Sequence, residues 1–166
     1  LFHHFIDSPG DPYLLRSVTA FDTRARLDAC LAALRAVIAR HDVLRTSVHW
    51  QGLRQPVQVV HRAAPLPVEE LAAPDGEAFA FLLAHTDPRG RRIDLRQAPL
   101  LVASVAQDAR SGEWLMGLLQ HHLVTDHVSL ELVLQEIRQI IAGHGALLPP
   151  PVPYRDFVAA SRAVEP

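Results

Sequence analysis

Apolar positions recur along this chain with two different periods, which predict a mixture of strands and helices. Alternating or continuous apolar runs are typical of strands, and they cover residues 14–21, 44–50, 56–61, 100–107 and 113–120. Apolar residues at three- and four-residue spacing predict two longer helices. The first helix follows an N-cap at Asp22 or Thr23 and ends near Arg40. The second is capped by Ser129 and ends near Ile141.

The residues between these elements complete the predicted fold. Pro65, Pro67 and Pro74 break the chain before a short helix over residues 76–86, and prolines keep residues 147–153 irregular. The run at 113–120 is apolar almost throughout, which predicts a central strand covered on both faces. The two long helices bury apolar stripes, namely Leu27, Cys30, Leu31, Leu34, Val37 and Ile38, and Leu130, Val133, Leu134, Ile137, Ile140 and Ile141. We therefore predict an α+β fold with helices packed on a mixed β-sheet.

Composition narrows the functional classes. With 166 residues, 49% of them hydrophobic, the chain is long enough for one domain with a core. A net charge of −2 argues against nucleic acid as a partner, and no apolar run approaches the roughly 20 residues of a membrane helix. The first residues lack the features of a signal peptide. The single cysteine, Cys30, excludes an internal disulfide and fits a reducing cytosol, so we expect a cytoplasmic protein.

Two adjacent histidine pairs provide the candidate chemistry. His121 and His122 lie where the buried strand meets the second long helix, and such a junction exposes side chains on a rigid scaffold. Alternation along a strand directs one of them toward the core and the other toward the cleft, where a neutral imidazole can take up a proton. Asp126 could orient a histidine or pair with an arginine. From these residues alone, two core histidines and a surface acid are an alternative, and a metal site is a weaker one.

Three sequence motifs, in the same order, resemble those of one family. Residues 121–129 read HHLVTDHVS and resemble the HHxxxDG-x-S signature of the condensation domains of nonribosomal peptide synthetases. Residues 40–48, RHDVLRTSV, resemble RHExLRTxF, and residues 154–158, YRDFV, resemble YxDFAxW. Ala160 stands at the Trp-like position of that last motif. The chain is accordingly identified as a member of this family.

The resemblance implies an architecture and partners. The family is built as a V of two lobes, each similar to chloramphenicol acetyltransferase, around a tunnel. Residues 1–166 resemble the N-terminal lobe alone, with the C-terminal lobe absent, and residues 147–166 form a Pro-rich loop and short helix leading toward that second lobe. Donor and acceptor peptidyl carrier proteins dock at opposite tunnel mouths beside an adenylation domain. Substrates arrive on the phosphopantetheine of the carriers, with no directly bound cofactor and no metal, and we expect a bacterial source.

The resemblance also implies roles for individual residues. His122 acts on the amine of the acceptor, with His121 beside it and Asp126 as a structural acid. We predict that Asp126 pairs with Arg40 or Arg45, because a bidentate contact of this kind can hold a loop in place. The face left by the missing lobe predicts an exposed apolar patch or self-association.

One position departs from the main motif. His127 replaces the usual glycine, which permits positive φ and close backbone approach. We therefore expect a slightly different loop or a subtype that tolerates histidine.

The first histidine pair resembles a second, more specialised motif. His3, His4, Gly10 and Asp11 match the HH[I/L]xxxxGD pattern of dual epimerization/condensation domains, with Phe5 in place of Ile or Leu. Such domains invert the Cα of the donor residue and then condense the D-configured donor with an L-acceptor. The resemblance leads to the hypothesis that His122 takes part in both reactions, and that His3 or His4 donates a proton or shapes the donor side of the tunnel.

Other functions stay open at this stage. An ordinary condensation domain without epimerization is the first alternative. A non-catalytic docking module for carrier proteins is the second, although such a module has no need of an intact His122 and Asp126. A plant-type acyltransferase with an HxxxD motif is a weaker alternative, because residues 40–48 do not follow its pattern.

Overall fold

The computed structural model describes residues 10–74 and 76–163, without the side chains of residues 161 and 162. His3 and His4 therefore lie outside the described residues. The strands are β1 (Leu14–Phe21), β2 (Thr46–His49), β3 (Val57–Val60), β4 (Val68–Leu71), β5 (Leu101–Gln107) and β6 (Trp114–His121). The helices are α1 (Arg24–Arg40), α2 (Ala78–His85), α3 (His127–Ile141) and α4 (Tyr154–Ala163). Two single turns of 3-10 helix cover Asp42–Arg45 and Gly145–Leu147.

A four-stranded sheet forms the centre of the fold, in the order β1-β6-β5-β4. β6 pairs antiparallel with both β1 and β5, whereas β4 runs parallel to β5. The predicted mixed sheet with packed helices, and thus the α+β class, is confirmed. The apolar strand β6 is central, as its sequence indicates, and it ends at His121. A separate antiparallel hairpin joins β2 to β3.

Helices pack on both faces of this sheet. Neighbouring residues of a strand point to opposite faces, and on β5 Val105 belongs to the large core cluster while Ala106 belongs to a smaller one. The larger cluster is built on the apolar stripe of α1, and the smaller one holds Ala78 and Leu82 of α2. Thr23 caps α1, since its hydroxyl accepts a hydrogen bond from the Arg26 N–H at 3.3 Å.

Two regions differ from the sequence-based prediction. The Pro-rich stretch after residue 65 contains β4, which was not predicted. The strand can form there because Pro67 precedes it, so every residue of the strand keeps its N–H group. The carbonyl of Pro67 accepts a hydrogen bond from Ala103 at 3.0 Å, which starts the parallel pairing with β5. The strand predicted from residue 44 begins only at Thr46, since Asp42–Arg45 winds into a turn that buries Leu44.

The packing of α3 is also looser than its sequence indicates. Ile137 is buried, whereas Leu134 and Ile141, both predicted to be buried, are 42% and 52% exposed. Other large apolar side chains on the same helix, Val128 and Leu132, are 64% and 58% exposed. α3 thus presents an apolar surface that the described residues do not cover. Within the part of the chain that the structure describes, no helix is long and apolar enough to cross a membrane.

Candidate active site

His121 is a buried residue at the end of β6, with only 3% of its surface exposed. Its backbone N–H donates to the carbonyl of Leu100 at 3.0 Å, which continues the pairing with the β5 side of the sheet. Its ring atom Nδ1 accepts a hydrogen bond from the Leu123 N–H at 3.1 Å. On the other side of the ring, Nε2 lies 3.3 Å from Oδ2 of the buried Asp11. His121 is therefore the core-facing member of the pair, a choice that the sequence alone left open.

His122 is the surface-facing member of the pair. It is exposed and follows the last residue of β6. Its backbone is nonetheless fixed, because the His122 N–H donates to the carbonyl of Tyr13 at 2.8 Å. The carbonyl of His121 then accepts from the Val124 N–H at 3.1 Å, closing a turn around His122. An accessible imidazole on a constrained turn is suited to take or hold a proton from a bound group.

Asp126 ends the loop and caps α3. Its Oδ1 accepts from the backbone N–H of Ser129 at 2.8 Å and from the Ser129 hydroxyl at 2.6 Å, while the Ser129 Oγ accepts from the Asp126 N–H at 2.7 Å. This reciprocal pair is a capping box. The predicted cap at Ser129 is therefore wrong by three residues, because a capping box places the second polar residue at the third helical position.

The hydrogen bonds at this cap also govern the charge of Asp126. The Ser129 hydroxyl, then the Ser129 backbone N–H, and further the nearby His122 hold the pKa of Asp126 below its usual range. The prediction that Asp126 pairs with Arg40 or Arg45 is wrong. Ser129 lies within the first turn of the same helix and satisfies the carboxylate locally, and both arginines have other partners.

Arg40 and its neighbour bind α3 rather than the loop. Arg40 Nε donates to Glu136 Oε2 at 3.1 Å, and His41 Nε2 lies 2.9 Å from the same oxygen. A second Arg40 nitrogen donates to the carbonyl of Pro149 at 2.6 Å. Burial favours a higher pKa for Glu136, but the hydrogen bonds from His41 and Arg40 outweigh it and hold the pKa below its usual range. This cluster joins the end of α1 to the middle of α3.

Arg45 stabilises the hairpin side of the site. Its Nη2 donates to Asp42 Oδ1 at 2.8 Å, and its Nη1 donates to the carbonyl of His61. The Thr46 hydroxyl donates to the carbonyl of Asp42 at 2.9 Å. These bonds hold the start of β2 against the end of β3. Arg45 is thus a structural residue of the hairpin.

Two depressions flank the loop that carries His122. A cavity of about 80 Å³ lies behind it, between the loop and the segment that follows α1, lined by His41, Val43, Leu44, Val124, Thr125, Ser129, Leu132 and Val133. A wider groove of about 820 Å³ lies between the β2–β3 hairpin and α4, and Leu123, the residue after His122, is part of its lining. The fold thus brings residues from all three sequence motifs around one loop.

His127 begins α3 and is exposed, with its Nε2 3.3 Å from Glu131. Among the described residues, only glycines have positive φ, so the backbone at position 127 does not require glycine. The loop therefore holds histidine at this position without a positive φ.

Of the four residues in the first motif, the structure describes Gly10 and Asp11, and Asp11 is the one with a recorded contact to the histidine pair. A Cβ on Gly10 would lie 2.5 Å from the carbonyl oxygens of Pro88 and Arg89, so the chain can pass there only as glycine. Asp11 is 2% exposed and contacts His121. Sequence reasoning did not foresee that this segment reaches the second histidine pair.

Three further residues of the site were not predicted. They are Tyr13 and Leu123, which hydrogen-bond His122 and His121 respectively, and Glu136, which links α3 to Arg40. The hydrogen bonds of Tyr13 and Leu123 to the histidine pair use backbone atoms, which leave no signal in the sequence. Among the described residues, no group of three or more His, Cys, Asp and Glu side chains could hold a metal ion.

Comparison with known proteins identifies a family. The condensation-domain family model matches residues 1–165. Malpinin synthetase of Mortierella alpina is 47% identical over 164 residues, an alignment that covers 98% of this chain and 2% of that synthetase. This relative is fungal, and the expected bacterial source is not shown.

Solved structures show the same fold. One is the condensation domain for chain release from the enacyloxin polyketide synthase, with a TM-score of 0.69 and 29% identity, matching 95% of this chain and 33% of that one. Another is the X-domain of teicoplanin biosynthesis in complex with OxyB, with a TM-score of 0.75 and 19% identity, and this chain covers 35% of it. The chain thus spans about a third of each matched structure. Because the family model covers nearly all of its residues, the chain belongs to the condensation-domain family of nonribosomal peptide synthetases.

Proposed function

We propose that this chain is the N-terminal lobe of a condensation domain that joins donor and acceptor aminoacyl groups held as thioesters on carrier proteins. The observation that carries this proposal is the arrangement of the histidine pair. His121 is buried and fixed, while His122 is exposed on a turn held by backbone hydrogen bonds. A docking module would need neither feature.

His122 has a definite part in this reaction. The acceptor α-amine attacks the donor thioester carbonyl, an amide bond forms, the phosphopantetheine thiol leaves, and the amine nitrogen loses a proton. A neutral imidazole beside the amine can accept or hold that proton. Asp126 supports this role indirectly, because it caps α3 and carries a negative charge close to His122.

The second lobe and the carrier proteins are partners under this proposal. The exposed apolar residues of α3, such as Val128 and Leu132, support a packing surface for the C-terminal lobe. The chain's match to about a third of each solved structure agrees with a single lobe. The donor and acceptor carriers would present their phosphopantetheine arms at the two ends of the tunnel, and an adenylation domain of the same synthetase would load the residues in the cytoplasm.

The proposed domain also inverts the donor residue before condensation. This step removes the proton from the donor Cα and returns one to the opposite face, so no atom is gained or lost overall. The support is the match of Gly10 and Asp11 to the motif of dual domains, together with the place of Asp11 beside His121. His122 would serve both reactions, and His3 or His4 would donate a proton or shape the donor side.

The condensation step is tested in the intact synthetase with loaded donor and acceptor carriers. We expect His122→Ala to lower the single-turnover rate of amide formation by roughly 10²- to 10⁴-fold. His144→Ala, which removes an exposed histidine after α3, is the matched control and should keep the original rate. An unchanged rate in His122→Ala would contradict the proposed role. Carrier binding without any amide formation by the unsubstituted protein would indicate a docking module.

The epimerization step is tested by loading an L-donor in deuterated water. We expect deuterium at the donor Cα and a D-configured residue in the product. An all-L product without deuterium would show an ordinary condensation domain. Substitution of both His3 and His4 by alanine should remove the D-product from an L-donor while a D-donor still condenses. Loss of condensation with intact epimerization would contradict the role given to this pair.

A further inference from the structure

We propose that Asp11 is a positioning residue for the condensation reaction, acting on His122 through His121 and through the backbone of Tyr13. This inference rests on the proposed function of His122. Both partners are shielded from water, since the side chains of His121 and Asp11 are 3% and 1% exposed. A polar contact in such surroundings is strong when complete and costly when incomplete.

The hydrogen bonds around His121 select one tautomer of its ring. Because the Leu123 N–H donates to Nδ1, that nitrogen carries a lone pair, and the proton of the neutral ring resides on Nε2. Nε2 lies 3.3 Å from Oδ2 of Asp11, so this polar contact sets the carboxylate beside the proton-bearing nitrogen, although the pair does not have hydrogen-bond geometry. The other oxygen, Oδ1, accepts from the Tyr13 N–H at 2.9 Å. The carboxylate therefore accepts a hydrogen bond from the Tyr13 N–H with Oδ1 and contacts the ring of His121 with Oδ2.

These two contacts act on both sides of His122. The His122 N–H donates to the carbonyl of Tyr13, the residue whose own N–H is held by Asp11. The Leu123 N–H, on the other side of His122, donates to the ring that Asp11 orients. Asp11 thus contacts both groups whose hydrogen bonds fix the backbone before and after the His122 Cα. Small errors in the position of a reacting group carry large losses in rate.

The position of Asp11 is itself set by its neighbour. Its N–H donates to the carbonyl of Pro88 at 2.9 Å, and Gly10 passes so close to Pro88 and Arg89 that no side chain fits. Gly10 and Asp11 together thus place a carboxylate beside the ring of His121. Gly10 and Asp11 of the first histidine motif thus have a physical role in the site that His121 and His122 form.

Asp11→Asn in the intact synthetase tests the proposal. An asparagine has one acceptor oxygen, so it cannot satisfy both the Tyr13 N–H and the His121 Nε2–H. We expect kcat for amide formation to fall about 10- to 100-fold, with an unchanged KM for the acceptor carrier, because Asp11 does not touch substrate. Asp28→Asn, at an exposed carboxylate of α1, is the matched control. A kcat equal to that of the control would overturn the proposal.

A double-mutant cycle tests whether Asp11 acts through His121. In a His121→Gln background, Asp11→Asn should add little to the loss of the single substitution, since the shared contact is already gone. Fully additive losses would show that Asp11 acts by another route and would overturn the proposal. Both variants are compared per folded molecule, with thermal unfolding as the check.

A measurement on the unsubstituted protein avoids any question of folding. A neutron diffraction map should show deuterium on Nε2 of His121 and none on Nδ1. Deuterium on Nδ1 alone would overturn the proposal. If the unsubstituted synthetase forms no amide, the proposed function fails, and the neutron map still decides whether Asp11 faces the protonated nitrogen.

Discussion

The loop between β6 and α3 has a buried side and an exposed side, and adjacent residues belong to different sides. His121, Val124 and Thr125 are each at most 4% exposed, and we call them the support. His122, Asp126 and His127 are exposed, and we call them the rim. The support is held by the sheet and by Asp11, whereas the rim is held by backbone hydrogen bonds and a helix cap. A reactive imidazole can therefore be accessible and well positioned at the same time.

The two sides should respond differently to substitution. Changes beneath the support alter close packing and buried polar contacts, which carry large free energies. Changes on the rim alter solvated groups, which carry small ones. The expected effects on stability therefore decrease from the segment beneath the support toward the outermost residue of the rim.

The largest effect on stability is expected from Gly10→Ala, at the residue before Asp11, which contacts the support. The new Cβ would lie 2.5 Å from the carbonyl oxygens of Pro88 and Arg89, so the backbone must move. We expect the free energy of unfolding to fall by about 2 to 3 kcal/mol. Urea unfolding of the condensation domain that contains this chain measures this, as a shift in midpoint at constant slope.

Gly90→Ala provides the matched control for that substitution. The nearest atom to its Cβ is the carbonyl oxygen of Asp87 at 4.0 Å, an ordinary contact distance. Its effect on the free energy of unfolding should stay within about 0.5 kcal/mol. Equal effects of the two alanines would contradict the tight packing described at Gly10.

The next effect in size concerns the link between α1 and the helix that follows the rim. Glu136→Gln keeps an oxygen for both Arg40 and His41 but removes the negative charge. Hydrogen bonds to a charged group are stronger than neutral ones, so we expect a loss of about 1 to 2 kcal/mol in the free energy of unfolding at neutral pH. Denaturant unfolding at several pH values measures this difference.

The pH dependence of that difference has a definite sign. The folded-state pKa of Glu136 lies below its ordinary value of 4.5, because His41 and Arg40 outweigh the effect of burial. The charge of Glu136 therefore contributes stability above pH 4.5, and this contribution is lost as the pH falls through the folded-state pKa. The wild type and Glu136→Gln should thus converge in acid. A constant gap down to low pH would contradict the ionised state of Glu136.

A smaller effect is expected at Asp126 on the rim. Asp126→Ala removes the acceptor of the Ser129 N–H and should lower the melting temperature by about 2 to 4 °C. Asp126→Asn keeps a good cap and should leave the melting temperature unchanged. Thermal unfolding followed by circular dichroism separates the two. An equal loss in both variants would show that the charge, rather than the cap, stabilises the helix.

The sequence predicted features that depend on neighbouring residues and missed features that depend on residues distant in sequence. Local periodicity predicted the strands β1 and β6 and the helix α1. It also predicted that one histidine of the pair faces the core, without saying which one. The short strand β4 was missed because its pairing depends on β5, distant in sequence. The partner of Asp126 was predicted wrongly because Ser129, three residues away, offers two donors before any arginine can reach it. Asp11 beneath His121 is a tertiary contact that no pattern marks.

The smallest effect is expected at His127, the outermost residue of the rim. His127→Gly restores the usual family residue, but the backbone here needs no positive φ, and the pair with Glu131 is exposed. Exposed ion pairs contribute little, so the free energy of unfolding should change by no more than about 0.5 kcal/mol. A gain of about 1 kcal/mol in urea unfolding would instead reveal backbone strain at position 127. In this chain the capping box of Asp126 and Ser129 starts the helix with ordinary backbone at position 127, so the structure gives glycine no conformational role there.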